Sequence, residues 1–191
     1  MLIKQSSIIG VPIATDAQGQ SYRRKALVPS WGRGVDVLLL ASFGFDAYGL
    51  ENSAAAVEAR KKSGFDIIYD YTFFCALEPS LRPKWALRHT HLLAPSPSGN
   101  LICLGFPRHK DPQAPGPPYA SSSEAYVAHL SHPGEEVPYD ASGPIKHEPL
   151  RAPSKAGLER VAYWQPERTH EVGRGENGVI HDRVSIWRRR N

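Results

Sequence analysis

Residues 25–62 read KALVPSWGRGVDVLLLASFGFDAYGLENSAAAVEARKK, and the order of apolar and turn residues in this stretch decides the fold. Residues 25–29 are short, apolar and strand-like. Residues 35–44 form a leucine-rich run that stops on glycine, as helices commonly do. Residues 45–50 give a second strand, and Ser53 is placed to cap a helix over 54–62, whose basic last turn suits the helix dipole. Strand, glycine turn, helix, strand ending in an acid, helix is the plan of a nucleotide-type binding half. Gly32 and Gly34 allow the backbone to approach a ligand at a helix N-terminus. Glu51 follows Gly34 by 17 residues, close to the spacing at which a carboxylate reaches a ribose.

Working outward, residues 65–77 (FDIIYDYTFFCAL) are β-branched and aromatic, which predicts a buried strand and its following turn. Residues 79–93 predict a helix with proline near its start, and residues 100–106 (NLICLGF) another buried strand. A proline-rich loop over 107–120 precedes a short capped helix over 121–130. The segments GLERVAYWQPE and DRVSIWRRR, separated by a glycine-rich turn, predict an antiparallel pair. The whole predicts an α/β domain over residues 25–191, with a mostly parallel sheet, helices on both faces and a C-terminal antiparallel hairpin. Residues 1–24 read as an irregular lead-in.

Composition narrows the function classes. At 191 residues the chain supports one core, and 41% hydrophobic with 22% charged residues fits a globular protein. The apolar run at 35–45 is interrupted by Asp36 and is too short to cross a bilayer, so no membrane partner is expected. The net charge of +4 comes from scattered bases with a small terminal cluster at Arg188–Arg190, and no nucleic-acid stripe is visible. Cys75 and Cys103 sit in apolar segments and read as reduced core thiols. The eight histidines make no metal spacing with them, so no metal is expected. With no signal-peptide pattern at the N-terminus, the expected location is cytoplasmic.

The segments KALVPSWGRGVDVLLLASFGFDAYGLENS, GFDIIYDYTFFCALEPSLRPKWA, GNLICLGFP and LSHPGEEVPYD resemble the thiopurine methyltransferase superfamily, in particular its fungal and plant thiol or halide methyltransferase-like members. The resemblance runs over most of the chain from about Lys25, and the YDYTFFCAL and SLRPKWA block is its most diagnostic part. It implies a Rossmann-like class I methyltransferase fold, S-adenosylmethionine as cofactor, and methyl transfer to a small thiol or related soft nucleophile. It further implies that Ser30, Gly32, Gly34, Glu51, Asn52, Asp70 and Tyr71 line the cofactor, with Tyr71 on the side shared with substrate. A thiolate attacking an activated sulfonium needs mainly alignment and desolvation, so no catalytic triad is expected.

The chain departs from that family in three places. Where relatives have glycine, cysteine, glycine in the turn, this sequence has Ser30, Trp31, Gly32. Only Ser63 and Gly64 separate Lys62 from the strand at Phe65, so one strand of a complete Rossmann-like sheet is expected to be missing. No tryptophan precedes Trp31, whereas relatives carry a tryptophan-containing segment that covers the cofactor. These departures leave an alternative open: a methyltransferase-like scaffold without methyl transfer, acting as a binding or regulatory protein or a cofactor-independent catalyst. A sheet that has lost its edge strand is expected to pair with another chain, a second copy included.

Overall fold

The computed structural model describes residues 10–29, 34–49, 64–140, 143, 145, 151–175 and 177–190. Strands β3 (Lys25–Val28), β4 (Asp46–Gly49), β5 (Ile67–Tyr71), β6 (Asn100–Gly105), β7 (Leu158–Trp164) and β8 (Arg183–Arg189) form one sheet in the order β4-β3-β5-β6-β8-β7. The first four are mutually parallel, and β8 runs antiparallel to both β6 and β7. This is the mostly parallel sheet with an antiparallel C-terminal pair expected from the sequence, the last strand β8 lying inside the sheet.

Strand alternation divides the core into two layers. Ala26, Val28, Ile67, Ile102 and Ile186 point to the face that carries helix α1 (Val35–Ser42), where they meet Leu40. Leu27, Ile68, Leu101 and Trp187 point to the other face, against Trp85 and Leu130. Those two residues belong to helices α3 (Arg82–Leu92) and α4 (Ser123–Ser131). Because both faces are covered, β5 and β6 are apolar at nearly every position, the pattern of parallel strands.

At the N-terminal edge of the sheet, Asp66 ties three strands together. Its Oδ2 accepts the Lys25 N–H at 2.9 Å, its Oδ1 lies 3.4 Å from Arg24 Nε, and its backbone carbonyl accepts the Asn100 N–H at 2.8 Å. The chain enters β5 through Gly64, at φ +76°, where an added Cβ would lie 2.9 Å from the Ala94 nitrogen. Phe65 then exchanges backbone hydrogen bonds with Leu92 and Ala94, the joint between α3 and β6.

Two segments differ from the sequence expectation. The irregular lead-in contains a hairpin, β1 (Ile13–Thr15) with β2 (Ser21–Arg23), separate from the main sheet. Its turn is held by the Asp16 carboxylate, which accepts the N–H groups of Gln18 and Gln20. The run over 65–77 is strand only as far as Tyr71. Thr72 takes a left-handed conformation, φ 71°, and the chain continues as the single-turn helix α2 (Phe73–Ala76). The helix expected over 54–62, with its cap Ser53, lies outside the described residues. Among the described residues no strand lies beyond β4, and no helix is long and apolar enough to cross a membrane.

Candidate functional site

The parallel strands end together at Val28, Gly49, Tyr71 and Gly105, and α1 begins at that end. Open α/β sheets place their ligands there. Gly34 is the N-cap of α1, with φ 78° and no side chain capping the first turn. The left-handed turn favours glycine, and the free N–H groups of the first turn suit an anionic ligand group. Ser30, Gly32, Glu51 and Asn52 lie outside the described residues; Gly34, Asp70 and Tyr71 lie within them and converge on this end.

Asp70 and Tyr71 are adjacent in β5 and therefore face opposite ways. Asp70 is fully buried on the side of α3, where its Oδ2 accepts the Trp85 indole N–H at 2.7 Å and its Oδ1 accepts the Phe74 N–H at 3.2 Å. His89 Nε2 lies 3.7 Å from the same carboxylate. Burial pushes the Asp70 carboxyl up, opposed by His89 and by the Trp85 hydrogen bond; burial likewise pushes His89 down. Asp70 thus acts on the site by fixing the turn at Thr72–Phe74. The diagnostic SLRPKWA block has a physical reason in the same region. Its Trp85 holds Asp70, and its buried Arg82 lies 4.3 Å over the Phe74 ring and donates to the Ala120 carbonyl.

Tyr71 faces the α1 side, where its ring stacks on His170 at 4.7 Å and 11°. Burial raises the Tyr71 phenol to about 12 and that of its neighbour Tyr69 further still. Beside the stack is a cavity of about 390 Å³. It is lined by α1 through Asp36 and Leu39, by Tyr69 and Leu104 of the sheet, and by Trp164 and the exposed His170. This volume is in the range of small-molecule sites, and the lining is apolar with a few polar groups, as such sites require. Burial raises the Asp36 carboxyl, opposed by the nearby His170. Asp182, just before β8, is raised in the same way; it accepts a hydrogen bond from Thr169 and has His170 nearby.

The sequence reading missed the segment after β7, with Thr169 and His170, and also Asp36 and Asp182. Asp36 carried a signal, since it is the one charge inside an otherwise apolar helix. His170 carried none, because only the fold brings it to Tyr71. Among the described residues no group of three or more histidine, cysteine or acidic residues is placed to hold a metal ion. Both cysteines are free and buried, and burial raises the Cys75 thiol to about 11 and that of Cys103 well above its usual value.

Residues 59–140 match the sequence model of the thiopurine S-methyltransferase (TPMT) family. The chain is 36% identical over 169 residues to a protein of Arabidopsis thaliana described as probable thiol methyltransferase 2, covering 76% of this chain and 71% of that protein. It is 30% identical over 165 residues to thiocyanate methyltransferase 1 of the same plant, covering 74% and 69%. Thiocyanate methyltransferase 1 of Brassica oleracea matches to the same extent. In the first alignment the 169 positions outnumber the residues in 76% of this chain, so gaps fall on the side of this chain.

Proposed function

This chain belongs to the thiopurine S-methyltransferase family, and from that premise we propose that it transfers a methyl group from S-adenosylmethionine to a small thiol or related soft nucleophile. The observation that carries the proposal is the uncapped Gly34 turn and Tyr71 at the C-terminal end of the parallel strands, with the Tyr71 ring stacked on His170, which lines a 390 Å³ cavity along the α1 face of the sheet. S-adenosylmethionine, when bound, supplies a methyl group on a sulfonium, already activated toward attack. The N–H groups that follow Gly34 would hold its carboxylate, and Tyr71 would pack against it. Glu51 and Asn52 are proposed for the ribose, and Ser30 and Gly32 for the backbone approach at the turn. The apolar cavity walls would strip water from the acceptor, which strengthens a soft nucleophile. Two buried free thiols support a reducing compartment, for which we propose the cytoplasm.

Calorimetric titration with S-adenosylmethionine and S-adenosylhomocysteine tests the first step. Binding at micromolar to millimolar concentration is expected, and no heat at millimolar ligand would sink the proposal.

A second reading has its own observation, the position of β4 at one edge of the described sheet. A scaffold that keeps the family fold without methyl transfer would use that edge to pair with another chain. Thiol methylation by a monomer would exclude it.

A further inference from the structure

We propose that His170 accepts the proton of a thiol acceptor bound in the 390 Å³ cavity, so that the site is built for neutral thiols as well as for acceptors that are already anions. The inference rests on the methyl-transfer reading and names the residue that prepares its substrate.

Placement supplies the argument. His170 lines the cavity, its ring lies flat on Tyr71, and it is exposed, so a proton it receives can pass to solvent. The groups around it come from each surrounding element: Asp36 from α1, Tyr69 and Tyr71 from β5, Asp182 from the lead into β8, and Arg168 from its own segment, in which Glu171 is the next residue. His109 and His181 lie beyond it, around Asp182. Burial raises the carboxyls of Asp36 and Asp182, and a positive His170 opposes that rise in both, so the two carboxyls and an imidazolium formed there favour one another's charge. The two tyrosines are held neutral by burial, and no lysine is among the described residues that line the cavity. Arg168 cannot take up a proton. Of the described cavity residues that can take up a proton, Asp36 and His170, only His170 is exposed and stacked on Tyr71, so it is the one placed to pass that proton on to solvent.

In the step, the acceptor S–H bond breaks and its proton goes to an imidazole nitrogen of His170. The electron pair left on sulfur forms the new S–CH₃ bond with a sulfonium methyl donor. The donor's S–CH₃ bond breaks, its electron pair stays on the donor sulfur as a neutral thioether, and His170 releases its proton to water. Thiocyanate and halide acceptors need no proton removed.

The magnitude follows from acid–base equilibrium. A free thiol of pKa about 8.5 is only about 3% thiolate at pH 7, so complete ionisation in the site is worth a factor of about 30. That advantage fades above about pH 9, where the thiolate forms unaided.

The test compares the wild-type protein with His170→Ala and His170→Gln, using cysteine and thiocyanate as acceptors. The ratio of cysteine to thiocyanate turnover is expected to fall about 30-fold at pH 7 in both variants, and to recover toward the wild-type ratio at high pH. A readout without the methyl donor accompanies it: the ultraviolet thiolate absorbance of cysteine bound to each protein, titrated against pH. Bound cysteine should ionise at lower pH in the wild type than in either variant. Equal ionisation in all three proteins, or an unchanged turnover ratio, overturns the inference while leaving methyl transfer intact. A wild-type protein that ionises bound cysteine through His170 but binds no S-adenosylmethionine would uphold the inference about the base and overturn the methyl-transfer reading.

Discussion

Replacing Trp85 with phenylalanine isolates the contact that fixes Asp70. The indole N–H donates to Asp70 Oδ2 at 2.7 Å, with both residues buried. A hydrogen bond to a charged acceptor contributes about 1.5–3 kcal/mol. The smaller ring also leaves a void on the order of 40 Å³ among Phe74, Tyr126 and His89, which at ~24 cal/mol per Å³ adds about 1 kcal/mol. The expected loss is therefore about 2.5–4 kcal/mol at neutral pH. Urea unfolding followed by the fluorescence of the remaining tryptophans measures it, with the slope unchanged if the denatured state is unaffected.

The pH dependence has a definite sign. The folded-state pKa of Asp70 is raised above 3.8, so the native state holds the proton more tightly than the unfolded chain. Stability from this group falls as pH rises from 3.8 through the folded value, and the penalty is complete above it. The Trp85 hydrogen bond lowers that folded value, so Trp85→Phe extends the sloping window upward and the difference between the two proteins shrinks on acidification. In an Asp70→Asn background the amide oxygen can still accept the indole N–H, but only as a neutral hydrogen bond, so Trp85→Phe should cost about 1–2.5 kcal/mol and no more. A loss below about 1 kcal/mol at neutral pH, or the same loss in both backgrounds, would refute the reasoning.

Three other perturbations have worked expectations. Asp66→Ala leaves Arg24 and the Lys25 N–H without this carboxylate and should cost about 3–5 kcal/mol, a fall of about 6–20 °C in the thermal midpoint measured by circular dichroism. Gly64→Ala meets both a left-handed backbone and the Ala94 nitrogen, so a loss of at least about 2 kcal/mol by urea titration is expected; a neutral result would mean that the entry into β5 is not constrained there. Tyr71→Ala removes the ring stacked on His170 and should weaken S-adenosylhomocysteine binding about tenfold by calorimetry, whereas Tyr71→Phe should keep most of it.

How much of this was legible in the sequence depends on how local each cause is. The β3–α1–β4 order could be read because the leucine run, the glycines around it and the short apolar segments are neighbours in sequence. The hairpin at residues 13–23 was missed although Asp16 and Gly19 are ordinary turn residues, because its exposed strands are too short and mixed to show alternation. The apolar run past Tyr71 concealed the end of β5, which is set by the left-handed Thr72 and by Asp70 holding Phe74. Gly34, Asp70 and Tyr71 were expected from sequence at the end of the parallel strands, but the opposed directions of the last two required the strand. The cavity and the His170 stack arise only when the segment after β7 folds back over the sheet, a long-range contact with no local signature.

The place of β8 inside the sheet bears on how the protein is made. Its neighbours β6 and β7 precede it in the chain, yet neither has its full set of partners until residues 183–189 arrive between them. A nascent chain that has emerged only as far as β7 holds the four parallel strands with Leu101–Leu104 of β6 at an open edge, apolar on both faces. That intermediate has the features that bind chaperones or aggregate. Completion of the sheet thus waits for residues 183–189, and slowed synthesis between β7 and β8 should lengthen the period in which the protein depends on cellular folding assistance.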